Sequence, residues 1–168
     1  AQDPNNIRVL GVMIELELRR GKSEEALRIA DGAVERLGDA SAFWLRARLH
    51  GQLDDPEKAL ADFASAIAAD PDGAEWRIAR AEFYRSLGRT DEALADMRKA
   101  LTLAKGNPAL QGRVIAMLLS SRQREIVEEA EAALDEVLAA HPEDRQLRLL
   151  KARAQWLRGT APELERAR

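Results

Sequence analysis

Five arginines and two of the three tryptophans carry most of the chemistry this sequence offers. Arg19, Arg48, Arg85, Arg113 and Arg153 recur along the chain. A guanidinium suits bidentate contact with carboxylates and stacking on aromatic faces. Trp44 and Trp156 add large apolar anchors of the kind that dominate binding interfaces. Other chemistry is thinly supplied. His50 and His141 stand 91 residues apart without a ligand-spaced partner, which argues against a metal site. With no cysteine there is no thiolate ligand, thiol nucleophile or disulfide. Ser120-Ser121 has no His or Lys at an activating spacing, and no glycine-rich loop follows a strand to cradle phosphate. The acids Glu24-Glu25, Asp91-Glu92 and Glu128-Glu129-Glu131 are expected in first turns of helices, where they complement the dipole. They read as caps and solvated faces, not an acid/base pair. No catalytic constellation emerges, and neither enzyme activity nor a cofactor is expected.

The elements that must position these side chains are helical. Of 168 residues, 46% are hydrophobic but only 4% aromatic, so the apolar share is mostly Ala and Leu, which favour helix. That length suits one domain with a sizeable core. A formal net charge of −3 excludes the basic excess typical of nucleic-acid binders. The longest apolar run, Val114 to Leu119, falls far short of the roughly 20 residues of a membrane span. No membrane insertion is expected, and the composition is compatible with a soluble cytoplasmic or periplasmic protein. Its Arg-, Ala- and Leu-rich usage suggests a bacterial source.

Internal repetition organises the chain. Asp3-Pro4, Asp70-Pro71 and His141-Pro142 mark one phase, with prolines 67 and 71 residues apart, each close to twice 34. A second marker gives the single period: Ala26, Ala30, Ala33; Ala59, Phe63, Ala66; Ala93, Met97, Ala100; and Ala130, Leu134, Val137. Successive sets begin 33, 34 and 37 residues apart. Spacings of four and three place each set on one helical face. The corners fall in phase too. Gly21 and Gly88 end helices, Ser23 and Thr90 begin the next, and Asp55-Pro56 pairs an Asp cap with proline at the first helical position. Gly159 to Glu163 reads as a further corner, so that all six prolines sit at corners. The pattern predicts nine helices of about 12 to 16 residues and the start of a tenth.

These features resemble the tetratricopeptide repeat family, whose unit is a helix–turn–helix of about 34 residues. The third unit comes nearest to the usual first helix, with Trp76, Ala81, Phe83, Tyr84 and Gly88. The second offers Phe43, Trp44, Ala47 and Leu49, and the fifth Leu149, Ala152, Trp156 and Gly159. Two departures stand out: Ile14 replaces a small residue, and the fourth corner, Ser120 to Glu125, lacks its glycine and should be longer. The resemblance implies an all-α superhelix, a right-handed solenoid of antiparallel helix pairs. One domain over 1–168 would hold repeats near 7–39, 40–73, 74–108, 109–144 and a partial 145–168. A non-repeating bundle has no reason to keep corners and small residues on one period. Sel1-like and HEAT-like hairpin repeats are the nearer alternatives.

In such a solenoid the first helices line a concave groove. Counting back from the corners places Arg8, Glu15, Leu18 and Arg19 there, then Ser41, Trp44, Arg48 and Gln52. Glu75, Ile78, Glu82 and Arg85 follow, then Arg113, Met117 and Ser120, and finally Gln146, Leu149, Arg153 and Trp156. Arg48 could instead pair with Glu82, Arg85 with Glu75, and Trp44 could fill the core. Some family members clamp a C-terminal carboxylate with Lys and Asn, but Gly11, Glu15, Leu45, Glu75 and Ala79 occupy those places, so that role is not implied. Five exposed ion pairs supply about 1–5 kcal/mol, whereas micromolar affinity needs about 8 kcal/mol. The expected partner is therefore a protein or peptide with acidic and bulky apolar residues. The expected function is a non-catalytic interaction scaffold, belonging to a larger protein and self-associating through exposed array ends. A structural spacer or oligomerisation arm is the alternative, and RNA binding by a helical-hairpin repeat is opposed by the acidic balance.

Overall fold

The computed structural model describes residues 6–166, with side chains through Gly159. Within them lie nine helices and no strand: α1 (Ile7–Arg19), α2 (Ser23–Leu37), α3 (Ala40–Gln52), α4 (Pro56–Ala69), α5 (Ala74–Ser86), α6 (Thr90–Leu103), α7 (Pro108–Leu118), α8 (Arg124–Ala140) and α9 (Arg145–Arg166). Pro56 and Pro108 each open a helix, where a missing N–H leaves nothing unpaired. The Asp55 carboxylate accepts from the Lys58 N–H at 3.2 Å, and Asn107 caps α7 in the same way. Ser23 and Thr90 are first helical residues and make no side-chain cap. The tail at Pro4 lies outside the described residues.

The corners keep time. Gly21, Asp54, Gly88 and Arg122 all adopt a left-handed conformation, with φ of 72°, 60°, 72° and 56°. They stand 33, 34 and 34 residues apart. The fourth corner is longer as expected, five residues (119–123) against three, and an arginine replaces the missing glycine. The extra three residues that stretch the last small-residue spacing to 37 lie in α8, which has 17 residues where α6 has 14.

The chain divides into two compact units, Ala1–Gly88 and Arg89–Arg168. In the first, Ala26, Ala30 and Ala33 of α2 and Ala59, Phe63 and Ala66 of α4 are buried, together with Ala47, Leu49, Ile78 and Ala81 of α3 and α5. Small side chains here let helix backbones approach closely. The Phe63 and Phe83 rings meet at 5.4 Å. A polar seam joins three helices: Arg46 of α3 donates to both Asp62 oxygens on α4 at 2.8 Å and to Asp31 on α2 at 2.9 Å. The Asp62 hydrogen bonds hold the guanidinium above its ordinary range against the opposing effect of burial.

The turn into α5 is shaped by an indole. Trp76 Nε1 donates to Asp70 Oδ2 at 2.9 Å, and a Cβ added at Gly73 would overlap both groups. Gly73 has an ordinary φ of −69°, so space rather than backbone freedom demands glycine. Gly73→Ala should break this hydrogen bond and lower stability by about 1–2 kcal/mol. Urea denaturation measures it. An unchanged midpoint would mean that the indole repacks at no cost.

In the second unit Ala93, Met97 and Ala100 of α6, Val114, Ile115 and Leu118 of α7, and Ala130, Leu134 and Val137 of α8 form the core. Glu128, Glu129 and Glu131 sit beyond the first turn of α8, contrary to the sequence expectation, because that helix starts three residues further ahead of its small-residue set. Each is ion-paired: Glu128 with Arg124, Glu129 with Arg98, and the buried Glu131 with Lys151 at 3.0 Å and Arg158 at 3.1 Å.

Two expectations for α9 fail. Its backbone stays helical through Gly159 and Pro162 to Arg166, so among the described residues no corner forms there and no tenth helix begins. The buried face of α9 is Leu147, Ala154 and Leu157. The face with Leu149, Ala152 and Trp156, which would meet a second helix of the same repeat, is exposed. On α1, Val12, Met13 and Leu16 are likewise exposed.

Candidate functional site

Each unit carries a cleft between first helices of successive repeats. In the first unit, α1 and α3 enclose a cleft of about 300 Å³. Gly11, Val12 and Ile14 form its α1 wall, Trp44, Leu45 and Leu49 its α3 wall, and Arg8, Glu15, Arg48 and Gln52 its rim. Spacings of three and four on each helix bring these side chains to one face. The Arg48 guanidinium lies over the Trp44 ring, 4.8 Å from its centre. Such stacking fixes both side chains while leaving the arginine's edge available for hydrogen bonds. Glu15 is turned to Arg19 by an ion pair on its own helix.

In the second unit, α7 and α9 enclose about 510 Å³. The floor is Gly112, Ala116, Leu147, Leu149 and Leu150, and Arg113 and Arg153 flank it. Asp144 also lines this cleft, but its carboxylate caps α9 by accepting from the Gln146 and Leu147 N–H groups. Both clefts pair a glycine on the first helix (Gly11, Gly112) with a large apolar residue on the next repeat's first helix (Trp44, Leu149). The two glycines differ in cause. A Cβ at Gly112 would stand 3.1 Å from the Leu147 side chain in the core, so a larger residue there would have to displace Leu147 slightly. A Cβ at Gly11 would meet only Leu45, at an ordinary 3.6 Å. Gly11 therefore lowers the stability of α1 by about 1 kcal/mol relative to alanine without a packing reason.

The candidate residues divide accordingly. Trp44 and Arg48 come together in one cleft, Arg113 and Arg153 in the other. Trp44 is half-buried: one part rests on the core, the rest lines the cleft. Ile78 and Met117 are corrections, since both are buried and face the core. Ile78 shares the phase of Trp44, but an isoleucine is short enough to be covered where a tryptophan overflows. Met117 falls 34 residues after Phe83 and is a core position once Arg122 is taken as the corner. Glu82 and Arg85 lie on the exposed face of α5, Arg19 is exposed beside Glu15, and Trp156 is exposed on α9 away from the cleft. Counting back from the corners leaves out both glycines, although Gly11 also stands at one of the places compared with the carboxylate clamp. A glycine inside a helical pattern, away from any corner, is the signal that could have found them. Among the described residues there is no group of three or more metal-ligating side chains, and no helix is long and apolar enough to cross a membrane.

A sequence profile of the tetratricopeptide repeat matches residues 45–108 and 121–163, well over half of the chain. The chain belongs to the tetratricopeptide repeat family. Solved structures agree on the fold, an all-α helical repeat of the superhelical class. This tetratricopeptide repeat chain is similar to a thermophilic TPR protein of Thermus thermophilus, with a TM-score of 0.61 and 24% identity, covering 92% of this chain and 82% of that one. It is also similar to a putative kinesin light chain of Podospora anserina with nearly identical TPR-like repeats, at a TM-score of 0.65 and 15% identity over 99% and 94% of the two chains. In sequence it is 34% identical over 101 residues to the cytochrome c-type biogenesis protein CycH of Rhizobium meliloti. That match covers 60% of this tetratricopeptide repeat chain and 26% of CycH, so the chain spans about a quarter of that relative's length. Tetratricopeptide repeat proteins are generally non-catalytic scaffolds that bind proteins or peptides.

Proposed function

We propose that this chain is a non-catalytic scaffold that grips a polypeptide segment in its first-helix clefts. The observation that carries this reading is the Arg48–Trp44 stack on the wall of an open, largely apolar cleft. It presents an oriented guanidinium beside exposed apolar surface, the combination that anchors interfaces. The second cleft likewise sets two arginines, Arg113 and Arg153, beside the apolar surface of Leu149 and Leu150. The likeness to CycH supports a client handled during cytochrome c-type biogenesis, with this chain as the partner-gripping portion of a larger factor.

Immobilised wild-type chain and the Trp44→Ala/Arg48→Glu double variant are to be compared for binding of an unfolded c-type apocytochrome polypeptide. Wild type should bind in the micromolar range. The double variant should bind at least tenfold more weakly, with helical circular dichroism unchanged. Equal binding by both would remove the α1/α3 cleft from the function and favour the spacer reading.

A further inference from the structure

The structure assigns the space above Gly11 as a subsite for one bulky apolar side chain of an extended acidic peptide, with an adjacent carboxylate held by Arg48. This rests on the groove reading and specifies what the α1/α3 cleft accepts.

Three observations converge. Glycine is the poorest ordinary residue for a helix interior, yet a methyl group at Gly11 would meet nothing closer than Leu45 at 3.6 Å. Neither a positive φ nor a close backbone approach calls for it. What glycine provides here is the opening itself. That opening is walled by apolar groups from Val12, Ile14, Trp44, Leu45 and Leu49. A volume of about 300 Å³ lies at the small end for ligand pockets and accommodates one large side chain with its flanking backbone.

Charge selects the flanking residues. Arg8, Arg48 and Glu15 are the ionisable groups lining the cleft. Glu15 is engaged by Arg19, and Arg48 is held in place on the Trp44 ring. The rim therefore faces an occupant with excess positive charge, complementary to Asp or Glu beside the inserted residue. The same field disfavours Lys or Arg there.

The test uses blocked, fluorescein-labelled heptapeptides, Gly-Ser-Glu-Leu-Glu-Ser-Gly and analogues in which the central Leu becomes Phe or Ser, or both Glu become Lys. Binding is read by polarisation and by the shift of the Trp44 indole N–H resonance. The Leu and Phe acidic peptides should bind with dissociation constants of about 0.1–1 mM, as suits a single subsite. The Ser and Lys analogues should be at least tenfold weaker. Gly11→Leu should reduce binding of the Leu peptide at least tenfold. Gly11→Ala should melt about 2–4 °C higher than wild type and bind more weakly. A rise in melting temperature together with lost binding is a signature that a purely structural glycine does not give. Arg48→Gln should weaken the acidic peptides about fivefold and leave a Gln-Leu-Gln analogue unchanged.

Undiminished binding by Gly11→Leu, or equal binding of the Lys analogue, overturns the assignment. If the peptides fail while apocytochrome polypeptide still binds in a Trp44- and Arg48-dependent way, the subsite chemistry is wrong and the groove reading stands. If both fail, the groove reading falls with it.

Discussion

Phe63→Ala is expected to cost about 3–5 kcal/mol of stability, a large part of the roughly 5–15 kcal/mol that a folded domain holds in reserve. Phe63 is 2% exposed on α4 and packs its ring against Phe83 of α5. Truncation removes the transfer free energy of the ring and leaves a cavity that α3, α4 and α5 can only partly close. Collapse is limited because Phe83 is already pressed against Gly51 of α3, where an added Cβ would come within 2.8 Å of the ring. The aromatic pair contributes a further 0.5–1.5 kcal/mol, roughly, beyond its buried area. Phe63→Leu keeps most of the volume and should cost less than about 1.5 kcal/mol. Urea denaturation followed by circular dichroism measures both. A loss under about 1 kcal/mol for the alanine variant would mean that the α3–α5 packing is far looser than its burial implies.

The second large effect concerns charge. Asp62→Ala should destabilise by about 2–4 kcal/mol, because it removes both short hydrogen bonds from a guanidinium whose side chain is only 24% exposed. Asp31 remains as a partner but is itself half exposed, so its pair with Arg46 compensates little. His50, 3.8 Å from Asp62, adds a second group that faces the lost carboxylate. Replacing both partners, as Arg46→Met/Asp62→Leu, should come within about 1 kcal/mol of wild type, since no buried charge of the seam is then left without its mate and the half-exposed Asp31 is solvated. The double-mutant cycle separates these cases. If Asp62→Ala alone is nearly silent, water reaches Arg46 and the seam is a surface feature.

The repeat architecture was legible because it depends on periodic demands. Ala26, Ala59, Ala93 and the apolar residues four and seven positions after each had to share one helical face, and all of them are buried. Corner chemistry was legible for a similar reason, down to the longer fourth corner. The Arg46–Asp62 seam was not, because its residues lie on different helices and belong to no period. The clefts were half legible. Counting back from the corners found Trp44 and Arg48. The same count put Ile78 and Met117 in a groove, although side-chain length decides the first and a left-handed arginine hides the register of the second. The missing turn at Gly159 shows the limit of local signals: glycine and proline mark where a chain can bend, and tertiary packing decides whether it does.

The acid at position 131 has one more implication. Counted from the corner, it stands where the previous repeat has Met97, an apolar core residue. Lys151 and Arg158, both on the next helix, neutralise it. Burial works against the Lys151 ammonium, yet Asp135 and Glu131 together hold it above its ordinary value. The repeats of this chain are therefore not interchangeable tiles. Anyone shuffling them into a new array must transplant α8 and α9 as a matched couple, or strand a carboxylate in oil.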